Sequence, residues 1–173
     1  MSLRPDIETT RKLGHHASYY NWGIQFVNLP GALSGFTSAD LNTRAVSFQA
    51  PTRTQDVAEI SMRGHKVFQH GIMNYDQGLN LILHETVDRK VGTFLENWMN
   101  LQWTPISGVQ VPKSLNQAVF LLTLLDSEDK ARKYYTIFGA WPTHFDHGGD
   151  YSADSSDTVK YTVTFQYDYY LSV

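Results

Sequence analysis

The chain has 173 residues, of which 42% are hydrophobic and 13% aromatic, enough for one folded domain that needs no covalent staple and does not stay disordered. It contains no cysteine, which excludes disulfides, thiolate metal sites, iron–sulfur clusters and cysteine nucleophiles. Fourteen Lys plus Arg against 17 Asp plus Glu give a net charge of -3 with no basic block, which disfavours tight phosphate-driven binding of nucleic acid.

The first eighteen residues are polar, include His15 and His16, and show no usable period; residues 1–18 read as an arm and 19–173 as a single domain. Met1 to Asp6 lack the apolar stretch of a signal peptide, and no run of about 18 apolar residues occurs, so a soluble chain made in the cytoplasm is expected. From Tyr19 to Val27 aromatic and branched residues alternate with Asn21, Gly23 and Gln25, the period of a half-buried strand, which Leu29, Pro30 and Gly31 end. The Gly/Ser/Thr-rich stretch through Asp40 reads as a loop, followed by Thr43 to Ala50, where Ala45 to Phe48 suggest a second strand that Pro51 closes. Val57 to Met62 and Lys66 to Gln69 flank Arg63-Gly64 as two short strands about a tight turn. Leu79, Leu81 and Leu83 alternate with Asn80, Ile82 and His84 in another strand.

The period then changes. Phe94, Leu95, Trp98, Met99 and Leu101 gather on one side with Glu96, Asn97 and Asn100 opposite, which predicts an amphipathic helix from Arg89 to Gln102. Phe94, Leu95, Trp98 and Leu101 are the residues expected to anchor it to a sheet. Ala118 to Leu125 is almost continuously apolar and suits a buried strand, with a helix as the second reading; Tyr134 to Phe138 is a further strand, and Gly139 to Ser156 reads as a loop.

The clearest pattern is the last one. Val159, Tyr161, Val163, Phe165, Tyr167, Tyr169 and Leu171 share one face, and Lys160, Thr162, Thr164, Gln166, Asp168, Tyr170 and Ser172 share the other. An unbroken strand of this kind would run about 40 Å. One wholly polar face calls for a large curved sheet that meets water on its second side, with Lys160, Thr162, Thr164, Gln166 and Asp168 facing a wet channel. The fold class is therefore mainly β: about seven antiparallel strands with one flanking amphipathic helix, arranged as an open or shared β-barrel.

Catalytic chemistry finds little support. His144 and His147 with Asp146 and Asp150 invite a metal, yet they sit in a predicted loop with no helical H-E-x-x-H context, and a solvated or interface loop explains them better. No G-x-S-x-G elbow and no phosphate-binding Gly loop is present, so neither an enzyme nor a cofactor is expected.

The segment Gly139-Ala140-Trp141-Pro142-Thr143, read as a turn, then an acidic loop and a long alternating strand with an aromatic-rich end, resembles the end of phage tail tube proteins. Met62 to Lys66, the strand from Leu79 to Glu85, and the helix from Val91 to Trp103 with Phe94, Trp98 and Trp103 are similar to the middle of that family, whose fold is shared with type VI secretion tubes. The resemblance covers residues 19–173. It implies a non-enzymatic structural protein of a virion's contractile tail, assembled in the bacterial host cytoplasm. Homohexameric rings would share a large barrel and stack into a conduit through which DNA passes on genome ejection without tight binding. Sheath, baseplate and tail-terminator proteins would be the partners, a tape-measure protein would occupy the lumen, and no membrane is involved. The alternatives are a tube-initiating baseplate protein, an injection-system tube subunit or, from another class, a monomeric β-barrel that binds a small ligand.

Overall fold

The computed structural model describes residues 21–33, 35–75, 78–148 and 157–173. The expected arm, with His15 and His16, lies outside them, as does Asp150 of the histidine loop. Among the described residues the strands are β1 (Trp22–Asn28), β2 (Ala45–Phe48), β3 (Arg53–Met62), β4 (His65–Tyr75), β5 (Gly78–His84), β6 (Ala118–Leu125), β7 (Ala131–Asp146), β8 (Lys160–Gln166) and β9 (Tyr169–Ser172). Two helices accompany them, α1 (Ser38–Arg44) and α2 (Lys90–Gln102), with a 3-10 turn over Lys113–Leu115. The chain is thus mainly β and all its named strand pairs are antiparallel.

Seven strands form one sheet in the order β1-β6-β7-β8-β5-β2, with β9 also on β7, and β3 pairs with β4 as a separate hairpin. The sheet turns a corner inside β7. Residues 131–140 pair with β6 and 141–146 with β8, so one 16-residue strand serves two layers. Gly139 makes the corner possible: its φ is +67°, and a Cβ there would lie 2.2 Å from the Asp168 carboxylate. The two layers enclose a core of Ile24, Leu79, Leu81, Leu83, Phe120, Ile137, Val163, Phe165 and Tyr167. In this single chain the sheet stays open rather than closing into a barrel.

α2 supplies the third wall of that core. Phe94, Leu95 and Trp98 are buried and Leu101 is half-buried. The Trp98 ring lies 6.3 Å from Phe26 and 5.5 Å from Phe165, and its Nε1 donates to the Asn116 carbonyl at 2.8 Å. The helix begins at a left-handed residue, Arg89, that gives no side-chain cap. The buried Glu85 carboxylate replaces the cap by accepting from the Gly92 amide at 2.7 Å and the Val91 amide at 3.3 Å.

Several expectations are corrected. The stretch through Asp40 is not all loop: α1 occupies Ser38–Arg44, because Thr37 caps it through the Asp40 amide while Asp40 accepts from the Thr37 amide, a reciprocal box. The second strand runs over Ala45–Phe48, as its sequence suggests. Trp141-Pro142-Thr143 is not a turn but the distal half of β7, with a register shift between Pro142 and His144. The terminal strand is broken at Tyr167-Asp168, where the Asp168 amide donates to the Phe138 carbonyl. The break shifts the phase, so Tyr170 is buried while Tyr169 and Leu171 are exposed.

Candidate functional site

Alternation along β8 puts Tyr161, Val163 and Phe165 into the core, which leaves Lys160 exposed and Thr162, Thr164 and Gln166 half-buried on the opposite face. Register with the neighbours extends that face into rows. His84 of β5 stands opposite Lys160; Ile82 and, from β7, Asp146 stand opposite Thr162; Asn80 and His144 stand opposite Thr164; Gly78 and Trp141 stand opposite Gln166. β2 adds Ser47 beside Ile82. The face is therefore four strands wide, β2-β5-β8-β7.

Its polar groups satisfy one another. The Thr164 hydroxyl donates to Asn80 Oδ1 at 2.8 Å, and Asn80 Nδ2 donates to Gln49 Oε1 at 2.9 Å. The fixed charges on the face are Lys160, in the first row, and Asp146, in the Thr162 row beside it.

Asp168, grouped by periodicity with this face, lies beyond the end of β8. Its carboxylate pairs with Lys113, whose ammonium also sits 4.2 Å from the Trp141 ring centroid. His147 turns away: its ring packs on Phe145 and Tyr161, with Nδ1 3.8 Å from Glu96. His144 and Asp146 remain on the wet side, and the described residues hold no group of three potential metal ligands. Sequence reasoning missed Asn80, Ile82, His84, Ser47 and Gln49 as parts of one face with β8. The alternation of Asn80, Ile82 and His84 with three leucines carried the signal for β5, but only pairing joins it to β8.

Both lateral edges of this four-stranded layer lack a strand partner among the described residues: β2 ends the sheet on one side, and Trp141 to Phe145 of β7 pair with β8 alone. An open groove of about 420 Å³ runs beside the β7 edge, between Thr143, His144 and Phe145 and the α2 residues Glu96, Met99 and Asn100. The β3–β4 hairpin stands apart. Its strands of 10 and 11 residues are exposed nearly throughout, and Phe68 and Ile72 show 65% and 74% of their surface to solvent. Apolar groups occupy both of its sides, since Ile60 pairs with Val67 on one and Phe68 with Glu59 on the other. At the base, the β4 bulge opposite Asp56 needs Gly71, where a Cβ would lie 2.6 Å from the Asp56 carbonyl.

No protein-family model and no curated protein sequence matches the chain. Solved structures do. The chain is similar to one in the sheath/tube terminator of an extracellular contractile injection system, PVC, in the extended state, at TM-score 0.64 and 14% identity over 93% of this chain and 99% of that one. A chain of the PVC sheath-tube complex gives TM-score 0.61 and 15% identity over 98% and 99%. A chain of the anti-feeding prophage baseplate gives 0.60 and 16% over 92% and 97%. The fold assembled from these strands is therefore that of chains from the tube-related and baseplate structures of contractile injection systems.

Proposed function

We propose that this chain is the repeating, non-enzymatic subunit of a tube in a contractile tail or related injection particle. Six copies form a ring, rings stack into a conduit, and Lys160, Thr162, Thr164 and Gln166 line its bore with Asn80, Ile82 and His84. The observation that carries this reading is the four-stranded layer with one apolar face, one polar face and two lateral edges without strand partners among the described residues. A layer of that kind is completed when the β2 edge of one copy meets the β7 edge of the next, which removes both edges at once.

The dimensions suit the role. About 24 strands at about 4.8 Å spacing, tilted by about 40°, close a barrel about 50 Å across its backbone. One layer of side chains, about 5 Å deep on each side, leaves a wet bore that admits a nucleic-acid duplex or a polypeptide. The sparse charge of this face lets such a polymer slide, and sheath- and baseplate-type proteins are the partners this role implies. The hairpin has a place in the scheme too: a two-stranded ribbon is marginal alone, and apolar groups on both of its sides suit burial against further copies of the chain.

Sizing and negative-stain microscopy of the concentrated protein test the proposal. Rings at six times the 19.7 kDa subunit mass, or hollow filaments, are expected. The variant Phe68→Asp should keep rings and lose stacking. A wild-type chain that stays near 20 kDa at all concentrations refutes the tube and favours the ligand-binding alternative.

A further inference from the structure

Besides the two edges that the ring would use, and that of β9, which pairs with β7 alone, the seven-stranded sheet ends in a further edge at β1. This edge is occupied. The amides of Ile24 and Phe26, two residues apart on β1, point the same way along the sheet and meet side chains of α1. Ile24 N donates to Asn42 Oδ1 at 2.9 Å, Phe26 N donates to Ser38 Oγ at 3.0 Å, and Ser38 Oγ returns a hydrogen bond to the Phe26 carbonyl at 3.0 Å. Ser38 and Asn42 are four residues apart on the helix, so one helical face presents both. Together they reproduce the donors and acceptors of an absent neighbouring strand.

The guard is also clamped from behind. Leu41 of α1 is buried in the core. Lys90, at the start of α2, bonds both Asp40 oxygens at 3.0 Å. Arg44 reaches Thr86 Oγ1 at 2.6 Å and Asp88 Oδ2 at 3.3 Å. The segment before α2 thus holds α1 at both ends of its short length.

We infer that α1 is an edge guard that blocks strand addition to β1 and so keeps self-association off that end of the seven-stranded sheet, leaving β2 and the distal half of β7 to meet. The inference rests on the proposed ring for what those two edges do, and on the hydrogen bonds of α1 for the guard itself. A chain at high local concentration, displaying an unguarded strand of seven residues, would add copies sideways and compete with ring closure.

The test uses the full chain carrying S38A and N42A, compared with wild type by hydrogen exchange of the 22–28 segment and by negative stain with a thioflavin signal. Exchange at Ile24 and Phe26 should accelerate about tenfold, as expected when one ordinary hydrogen bond per amide is lost. Laterally joined or fibrous material should appear that wild type lacks. Adding V27K, a charge at an exposed position of the same strand, should remove that material. If the double variant fails to fold, S38A alone carries the same comparison. Faster exchange with unchanged assembly, or unchanged exchange, overturns the guard. A wild-type chain that remains monomeric refutes the ring alone; the guard then stands if S38A/N42A self-associates where wild type does not, and falls if neither does.

Discussion

Replacing Trp98 by alanine probes the contact that joins helix to sheet. Trp98 is fully buried, its ring stands 5.6 Å from Phe94 and 5.5 Å from Phe165, and its indole N–H satisfies the Asn116 carbonyl at 2.8 Å. Truncation of a buried tryptophan costs about 3 to 5 kcal/mol through lost transfer energy and the cavity left behind. In a domain of this size each kcal/mol lowers Tm by about 2 to 4 °C, so Trp98→Ala should melt about 6 to 20 °C below wild type. Trp98→Phe separates the two contributions. It keeps most of the ring volume and strands the Asn116 carbonyl, at a cost of about 1 to 3 kcal/mol, and should fall between the two. Thermal unfolding followed by circular dichroism, at one protein concentration for all variants, reads the result. An alanine variant melting within about 2 °C of wild type would refute the packing argument, because no relaxation of the surroundings refills a cavity of that size without cost.

The capping box of α1 is sensitive to acid. The Thr37 amide and hydroxyl, with help from Lys90, lower the Asp40 carboxyl from the ordinary 3.8 to about 2. A folded-state value below the unfolded one stabilises above 3.8 and loses that contribution as pH falls through about 2, so the Tm gap between wild type and Asp40→Asn should be widest near neutrality and shrink below about pH 3; parallel curves count against it. At the corner of β7, Gly139→Ala should lower Tm by about 2 to 8 °C, since a side chain at φ +67° costs about 1 to 2 kcal/mol and the new methyl collides with Asp168. Asp168→Ala in that background should restore part of the loss, and a purely additive double variant would remove the steric explanation. In the proposed bore, Thr164→Lys would set a cation in the middle of the polar face; assembled particles should then retain duplex DNA in a salt-dependent way that wild type does not, and retention by wild type at physiological salt would overturn the proposed weakly interacting lining.

Period alone made β5, α2 and β8 legible, because each buries one face and so writes its burial into the order of its residues. Leu79, Leu81 and Leu83, or Tyr161, Val163 and Phe165, need no partner to announce which side is dry. The features that failed are those fixed by distant contacts. α1 spans only seven residues with one buried side chain, Leu41, so it has almost no hydrophobic period; its one local signal is Thr37 three residues before Asp40. Trp141-Pro142-Thr143 carries turn-forming residues but lies in a strand, and its proline is accommodated beside a register shift at the margin of the layer.

The break at Tyr167-Asp168 shows why the extent of the wet face was harder to read than its existence. Alternation records which side of a strand is buried, and it continues in the sequence through Leu171 as though one strand ran to the end. The chain instead leaves β8 at Gln166, bonds the Phe138 carbonyl through the Asp168 amide, and rejoins β7 as β9 with Phe138 opposite Tyr169. Two residues outside regular pairing suffice to move Tyr170 inward and Leu171 outward. The partner that dictates this change is the corner at Gly139, about thirty residues upstream, whose missing Cβ leaves room for Asp168. The polar face is thus bounded by one glycine and one aspartate meeting across two strands, so Gly139 and Asp168 set where that face stops as firmly as Lys160 to Gln166 set where it runs.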